Sequence, residues 1–508
     1  MTDQEGTAPA SPSAASPGGR PGGLRQRVLT GGLIMSAVAV LGRGSSLAAQ
    51  LILGRILLED EFGLYALALG WVTIASAVRS IMRPVLIEAL TNEPEEADHL
   101  FRTVLYTLIG LAVLGAAASP LIETSFDEDD LARLLIPMFL LMPLQLAPMM
   151  GLAKLSTAMD FNRVGRIEAI AGLTRHAVTI VAAIAGFGAL SFVFGILGAA
   201  VAEHGLIRRY LGSWPSYRPP DPGEVRRRIQ TSFEPGHTRR WVWVSAVALA
   251  LGVSGDYLGA SLYATAAVVG VYFFAYQLTG ALFDPMNVVA TTVLVPAFAT
   301  IDDTEARRRA YLTTLRSLSV VGTLFFFAAI TVLGPTIHWL WDGKWDEATF
   351  AVVAFAAYAP VRLTHPCTQN VARACGFWNL FVTDMILVGA VTFTTAAAGA
   401  YVGGLTEMVL FVIGGHLVVT LISAFRLSRR LAQPYVPVLR TTLGPWSVGL
   451  LALAVADRFG GGITSVNWAD VPLRIVIVGA VLAVGIALPE RAMLTELATS
   501  ILRRRTAT

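Results

Sequence analysis

Residues 51–70 read LILGRILLEDEFGLYALALG. One apolar helix ends near Leu57, a short acidic turn follows at Glu59 and Asp60, and a second apolar helix opens at Phe62-Gly63-Leu64-Tyr65. The same design repeats in both directions along the chain. Apolar runs of about 18–20 residues, the length a bilayer core demands, alternate with short polar joints. They predict about fourteen spans, at 29–53, 63–90, 103–121, 132–152, 167–187, 189–211, 241–259, 266–298, 313–334, 348–367, 376–398, 402–425, 439–457 and 471–488. Of the 508 residues, 55% are hydrophobic and only 14% charged. A soluble chain carries about 25% charge, and this one has too few polar residues to cover a surface of its length. The fold class is therefore an all-α integral membrane protein.

Between the spans, composition sets the organisation. Residues 1–28 are rich in Pro, Gly, Ala and Ser and predict a disordered tail. The apolar run after them is too long for a secretory signal and contains Arg43. The one long interior joint, 212–240, is basic and proline-rich and predicts a cytoplasmic linker with an interfacial helix. It leaves six spans before it (29–211) and eight after, of which 241–430 hold six and 431–508 hold two and a basic tail. Arginine sets the orientation. Arg163, Arg166, Arg208, Arg307–Arg309, Arg362, Arg373, Arg426–Arg430 and Arg503–Arg505 share one side when the N-terminus is inside, whereas the opposite joints hold Asp127–Asp130, Asp256 and Asp342. Both termini are thus expected in the cytoplasm. Cys367 and Cys375 fall in a cytoplasmic joint and supply neither a disulfide framework nor metal spacing. The net charge of +3 says little about partners, and no nucleic-acid partner is expected.

The spans also repeat. The second opens FGLYALA at 62–68 and the eighth VGVYFFA at 269–275, each with Gly-x-Tyr at an outer helix start. Phe161…Glu168 enters the fifth span and Phe377…Asp384 the eleventh, at the same seven-residue offset. Both pairs lie six spans apart, so the halves share one orientation. That is a parallel repeat about an axis along the membrane normal.

The 51–70 stretch, through Arg55, Leu57, Glu59, Asp60, Phe62, Gly63 and Tyr65, resembles the opening signature of polysaccharide and O-antigen flippases, members of the multidrug/oligosaccharidyl-lipid/polysaccharide exporter superfamily. The eighth span, with Tyr272, Ala275, Tyr276 and Pro296, and the joint AKLSTAMDFNRVGRIEAI are similar to the same family. The resemblance covers residues 29–430, and the last two spans are less diagnostic. It implies two pseudo-symmetric six-helix bundles around a central cavity, plus two C-terminal helices. It also implies a lipid-linked oligosaccharide carried across the bilayer by alternating access.

Charges inside spans mark the candidate site, because they are costly in lipid and face a cavity or a partner. Arg43 sits near the middle of the first span, and Arg79 and Arg83 share a face of the second. Two like charges on one face call for an anion or a wet cavity, and the guanidinium fork suits a polyprenyl pyrophosphate. The competing readings are an ion pair for Arg43 and snorkelling to headgroups for Arg83. Arg175 lies seven residues after Glu168 on one helix face, which allows a pair between them as readily as a ligand role. Asp284, followed by Pro285, is a candidate for a coupling proton or sodium ion or for the partner of an arginine. Asp256, at an outer helix end, is a second coupling candidate with solvation as its plainer reading. Glu203 and His204 read as helix-end groups, and Asp384 and His416 rank below the rest. Trp339, Trp341 and Trp345 read as interface anchors, with sugar stacking as the alternative.

No cofactor is expected, and there is no nucleophile, metal or Walker constellation. A polyprenyl-dependent glycosyltransferase or ligase would need a large outer loop, and none is present. A drug or cation antiporter of the same superfamily would favour acids over arginines in its cavity, whereas a lipid II flippase shares the arginine logic. Expected partners are the lipid-linked oligosaccharide, membrane lipids, and a polysaccharide polymerase or glycosyltransferases.

Overall fold

The computed structural model describes residues 21–212, 223, 239–301, 303–496 and 499. Residues 1–20, nearly all of the 212–240 linker and the Arg503–Arg505 tail therefore lie outside the described residues. All regular structure among the described residues is helical: α1 (Pro21–Ile56), α2 (Glu59–Ala75), α3 (Arg79–Asn92), α4 (Pro94–Phe126), α5 (Leu131–Leu146), α6 (Pro148–Thr157), α7 (Phe161–Ile184), α8 (Leu190–Leu211), α9 (Arg239–Ala260), α10 (Ala266–Ala299), α11 (Thr304–Trp341), α12 (Ala348–Arg362), α13 (Thr364–Ala374), α14 (Trp378–Val402), α15 (Leu405–Arg430), α16 (Tyr435–Phe459) and α17 (Val471–Leu482). A π-helical turn, Ala483–Ala487, continues α17.

Each predicted span has its helix or helix pair. Among the described residues, twelve helical segments are long and apolar enough to cross a membrane; the other two spans are α9, apolar over Val244–Ala260, and the divided α12–α13. Three spans are broken. A tight turn through Ser76–Val78 divides α2 from α3, with Ser76 Oγ donating to Val72 O at 2.7 Å. Pro143 and Pro148 flank the break between α5 and α6, where each proline removes a backbone donor. At the chain start the structure corrects the sequence expectation, because residues 21–28 belong to α1 and not to a tail.

The first eight helices pack mainly among themselves, as do α9–α15. The two lobes meet where α2 lies on α10 and α9, and where α1 lies on α10. The helices that carry the Gly-x-Tyr repeat are thus the ones that face each other. The two C-terminal helices pack on the second lobe: α16 against α11 and α12, and α17 against α16 and α11. Arg474 of α17 is fully buried and turned back on its own loop, with Nε donating to Gly460 O at 3.0 Å and Nη1 to Ser465 O at 3.2 Å. Apolar side chains such as Val113, Leu114, Val181, Ile184 and Val476 stand exposed on the outside, as lipid contact requires.

Candidate functional site

The start of α2 and the start of α10 cross at one end of the molecule. A Cβ on Gly63 would lie 1.7 Å from the Ala266 carbonyl oxygen, and one on Gly270 would lie 1.8 Å from that of Glu59. Only glycine permits this reciprocal approach of two backbones, which is the physical reason for the repeated Gly. Around the crossing the lobes exchange hydrogen bonds. Arg55 Nε donates to Leu340 O at 2.8 Å, Trp341 Nε1 to Leu51 O at 3.1 Å, Trp345 Nε1 to Gly54 O at 2.8 Å, and Lys344 Nζ to Leu57 O. Phe62, Phe192, Phe273, Phe274 and Trp345 pack edge-on and stacked beneath them. This end is a sealed plug. Trp341 and Trp345 are buried within it, so the expectation that they anchor the lipid interface is corrected; Trp339, 67% exposed, alone of the three is placed for that role.

Glu128 caps the plug by accepting from Ala266 N at 2.7 Å. Burial pushes its carboxyl above the usual glutamate range, the Ala266 N–H opposes this, and Asp127, Asp60 and Asp129 add to the rise. A raised pKa means that folding favours the protonated acid. The contribution is full below about pH 4.5 and is lost as pH climbs through the raised value. Glu128→Gln, which keeps an acceptor and drops the charge, is expected to flatten the fall in Tm as pH rises above about 4.5. A Tm-versus-pH series on both proteins checks this; identical slopes would refute it.

Three of the predicted arginines, Arg79, Arg83 and Arg175, come together in the first lobe. Arg83 pairs with Glu168 of α7 and donates to Ser156 Oγ of α6 at 3.1 Å. Glu168 thus takes Arg83 of another helix, and not Arg175, as its partner, and Arg83 has an internal acid where the competing reading gave it lipid headgroups. Arg175 Nη2 instead donates to Tyr65 OH at 3.2 Å, tying α7 to α2. Arg79 begins α3 directly after the break, where the positive end of the helix dipole adds to its own charge. Its strongest charge interactions are with Arg175, a repulsion, and with Glu203, an attraction. Glu203 is therefore no mere helix-end group; it senses Arg79, Glu168, Arg175 and Arg83 together. With Arg83 and Glu168 cancelling, Arg79 and Arg175 oppose Glu203 alone and leave this cluster net positive.

Arg43 reaches across to the second lobe, where its Nη1 lies 2.7 Å from Asp284 Oδ2. Their side chains are 47% and 26% exposed, so protein does not enclose the pair and its contribution is that of an exposed pair, about 0–1 kcal/mol. Arg43→Asp with Asp284→Arg is expected to recover most of the stability lost by either single change. A double-mutant cycle on Tm would show no coupling if the pair were incidental. Asp256 is not solvated, as its position at a helix end suggests, but 2% exposed. Tyr272 OH donates to it at 2.9 Å and Tyr257 N at 3.0 Å, because α10 packs over the end of α9.

The second lobe holds a cavity of about 270 Å³ that sequence reasoning did not single out. Its lining includes Asp284, Tyr276, Phe283, Tyr358, Arg362, His365, Gln369 and His416. Arg362 is not in a cytoplasmic joint, as the charge pattern suggests. It lies inside the lobe, 4.8 Å from the Tyr276 ring centroid and 4.4 Å from that of Phe283. Cys367 is likewise fully buried in α13 and not in a joint. Asp384 beside the cavity accepts from Gln369 Nε2 at 2.9 Å and Ser423 Oγ and pairs with His365 Nε2 at 3.0 Å. Its counterpart in the repeat, Glu168, holds Arg83, so both lobes place an acid at the same internal position. The seven-residue echo in the sequence was the available signal.

Two helical lobes with charged interiors, joined at a sealed end and faced outward with apolar side chains, define a multispanning membrane transporter. The chain belongs to the polysaccharide biosynthesis protein family, whose match spans residues 52–350. Over 337 residues it is 28% identical to the lipopolysaccharide biosynthesis protein WzxC of Escherichia coli (strain K12), a stretch that covers 64% of this chain and 65% of that protein. In fold it is similar to the lipid II flippase MurJ in an inward closed conformation (TM-score 0.68, 13% identity, 91% of this chain and 100% of that one). It is also similar to an inward-facing multidrug resistance MATE family transporter of the MOP superfamily (TM-score 0.59, 15% identity, 78% and 98%).

Proposed function

We propose that the protein moves a polyprenyl-pyrophosphate-linked oligosaccharide from the inner to the outer leaflet of a bacterial cytoplasmic membrane by alternating access. The observation that carries this is the set of arginines inside the first lobe: Arg175 on Tyr65 of α2, Arg79 at the start of α3, and Arg83 already neutralised by Glu168, with Glu203 the further acid that faces them. A buried excess of positive charge favours an anionic cargo, and guanidinium groups bind phosphate oxygens through charge-assisted hydrogen bonds. Membership of the polysaccharide biosynthesis family and the likeness to WzxC point to a glycan on that anion. The same charge argues against a cation antiporter. With arginine-rich joints inside, both termini are cytoplasmic and the sealed plug faces outward. Asp284 is then a coupling candidate of a definite kind, because its partner Arg43 is on the other lobe and is lost when the lobes part; Asp256 is the alternative. A polymerase or glycosyltransferases of the same route are the natural protein partners.

Deletion of the gene tests the reading. Accumulated lipid-linked oligosaccharide with loss of surface polysaccharide supports it. Normal levels of both would remove it, and accumulated lipid II would assign the protein to cell-wall precursor transport instead.

A further inference from the structure

The cavity in the second lobe has no part in holding a pyrophosphate at Arg79 and Arg175, yet it is a built site. Three aromatic residues, Tyr276, Phe283 and Tyr358, form its walls, and Arg362, Gln369 and His416 stand among them. Each of these polar groups is anchored at one end. Arg362 Nη2 donates to Tyr276 OH, Gln369 Nε2 to Asp384 at 2.9 Å, and His416 Nε2 meets Thr392 Oγ1 at 2.8 Å. Each keeps further capacity: the other guanidinium donors, the Gln369 carbonyl oxygen and His416 Nδ1 have no partner among the described residues. Arg362 also has no carboxylate within ion-pair distance among the described residues.

Aromatic faces combined with planar, pre-anchored hydrogen-bonding groups are what a pyranose ring needs. Its C–H face covers an aromatic ring, and its hydroxyls both donate and accept at the rim. The volume lies just below the roughly 300–1,000 Å³ of whole-ligand pockets, which suits one ring of a larger molecule. Asp284 lines the cavity and pairs with Arg43 of α1, so one wall of the cavity meets the other lobe. We propose that this cavity is a glycan subsite that takes a single sugar residue of the cargo while the first-lobe arginines hold its pyrophosphate. The proposal rests on the flippase reading above.

The test uses the purified full-length protein in nanodiscs. The probes are farnesyl pyrophosphate, bare or carrying one neutral hexose, one N-acetylhexosamine or one hexuronic acid. Wild type is expected to bind at least one glycosylated probe about tenfold more tightly than the bare lipid, a difference of about 1.4 kcal/mol. Arg362→Gln and His416→Ala should each bring the two affinities within about twofold, while Tyr358→Phe, which keeps the ring, retains the preference. Arg79→Gln with Arg175→Gln should weaken every probe equally. A preference that survives in both Arg362→Gln and His416→Ala, or no preference in wild type, overturns the subsite. Failure of wild type to bind any probe, bare lipid included, would instead overturn the flippase reading on which it rests.

Discussion

Replacing Arg79 and Arg175 together with glutamine is expected to lower translocation of a lipid-linked oligosaccharide by about 10²–10⁴-fold. A hydrogen bond to a charged group contributes about 1.5–3 kcal/mol, and two are lost. This pair is preferable to Arg79 with Arg83. Arg83 neutralises Glu168, and its removal leaves an unpaired carboxylate inside the lobe, a structural injury that imitates loss of function. Arg175 by contrast gives up a single hydrogen bond to Tyr65. Removing both cations relieves their mutual repulsion but also takes two of the cations that face Glu203, so Glu203→Gln is added in the same background and abundance and Tm are measured beside transport in both variants. Reconstituted vesicles with a labelled lipid-linked glycan provide the measurement. Undiminished transport at normal abundance would take these residues out of the site.

The second large effect belongs to the plug. Gly270→Val places carbon where the Glu59 carbonyl oxygen stands, and Gly63→Val does the same against Ala266. Backbone atoms cannot rotate away as a side chain can, so the closed crossing is lost and not merely loosened. Ordinary overpacking costs about 1–3 kcal/mol, and a clash of main chain with main chain lies above that range. The expected result is a protein that inserts in the membrane but cannot seal this end, with transport reduced more than about a hundredfold. A cysteine placed at Leu57, which is 1% exposed in the plug, reports the change in a background lacking Cys367 and Cys375. It should be protected from an impermeant maleimide in the parent and labelled in Gly270→Val. Continued protection would show that the plug tolerates the added carbon.

These two sites differ in how far they are legible from the chain alone. Gly63 and Gly270 stand out by repetition, since FGLYALA and VGVYFFA recur six spans apart. Nothing local says that the repeats touch, and their reciprocal fit appears only when α2 lies on α10. The arginines stand out by their cost in lipid. Their partners do not, because several acids are available within helices of the same polarity. Glu168 is seven residues from Arg175 on one helix face, yet it pairs with Arg83 of another helix. The break at Ser76–Val78 sets the direction of α3, and a change of one residue in the helix start would rotate Arg83 by about 100° away from α7. Arg362 was hidden for a different reason. A charge close to a predicted helix end looks like a joint residue in sequence, but α12 and α13 run on as a broken pair and draw it inside.

Sequence by itself determined that this chain crosses a membrane many times, that its halves repeat, and that its interior carries excess arginine. Those properties depend on span length, hydropathy and residue type, which are local and additive along the chain. Tertiary structure alone decided which charges neutralise one another, that Asp256 is buried under Tyr272, that two tryptophans plug one end, and that a polar cavity exists in the second lobe. Each of these depends on the rotation and crossing of helices distant in sequence. In that geometry a shift of a few ångströms exchanges one partner for another without altering the hydropathy of any span.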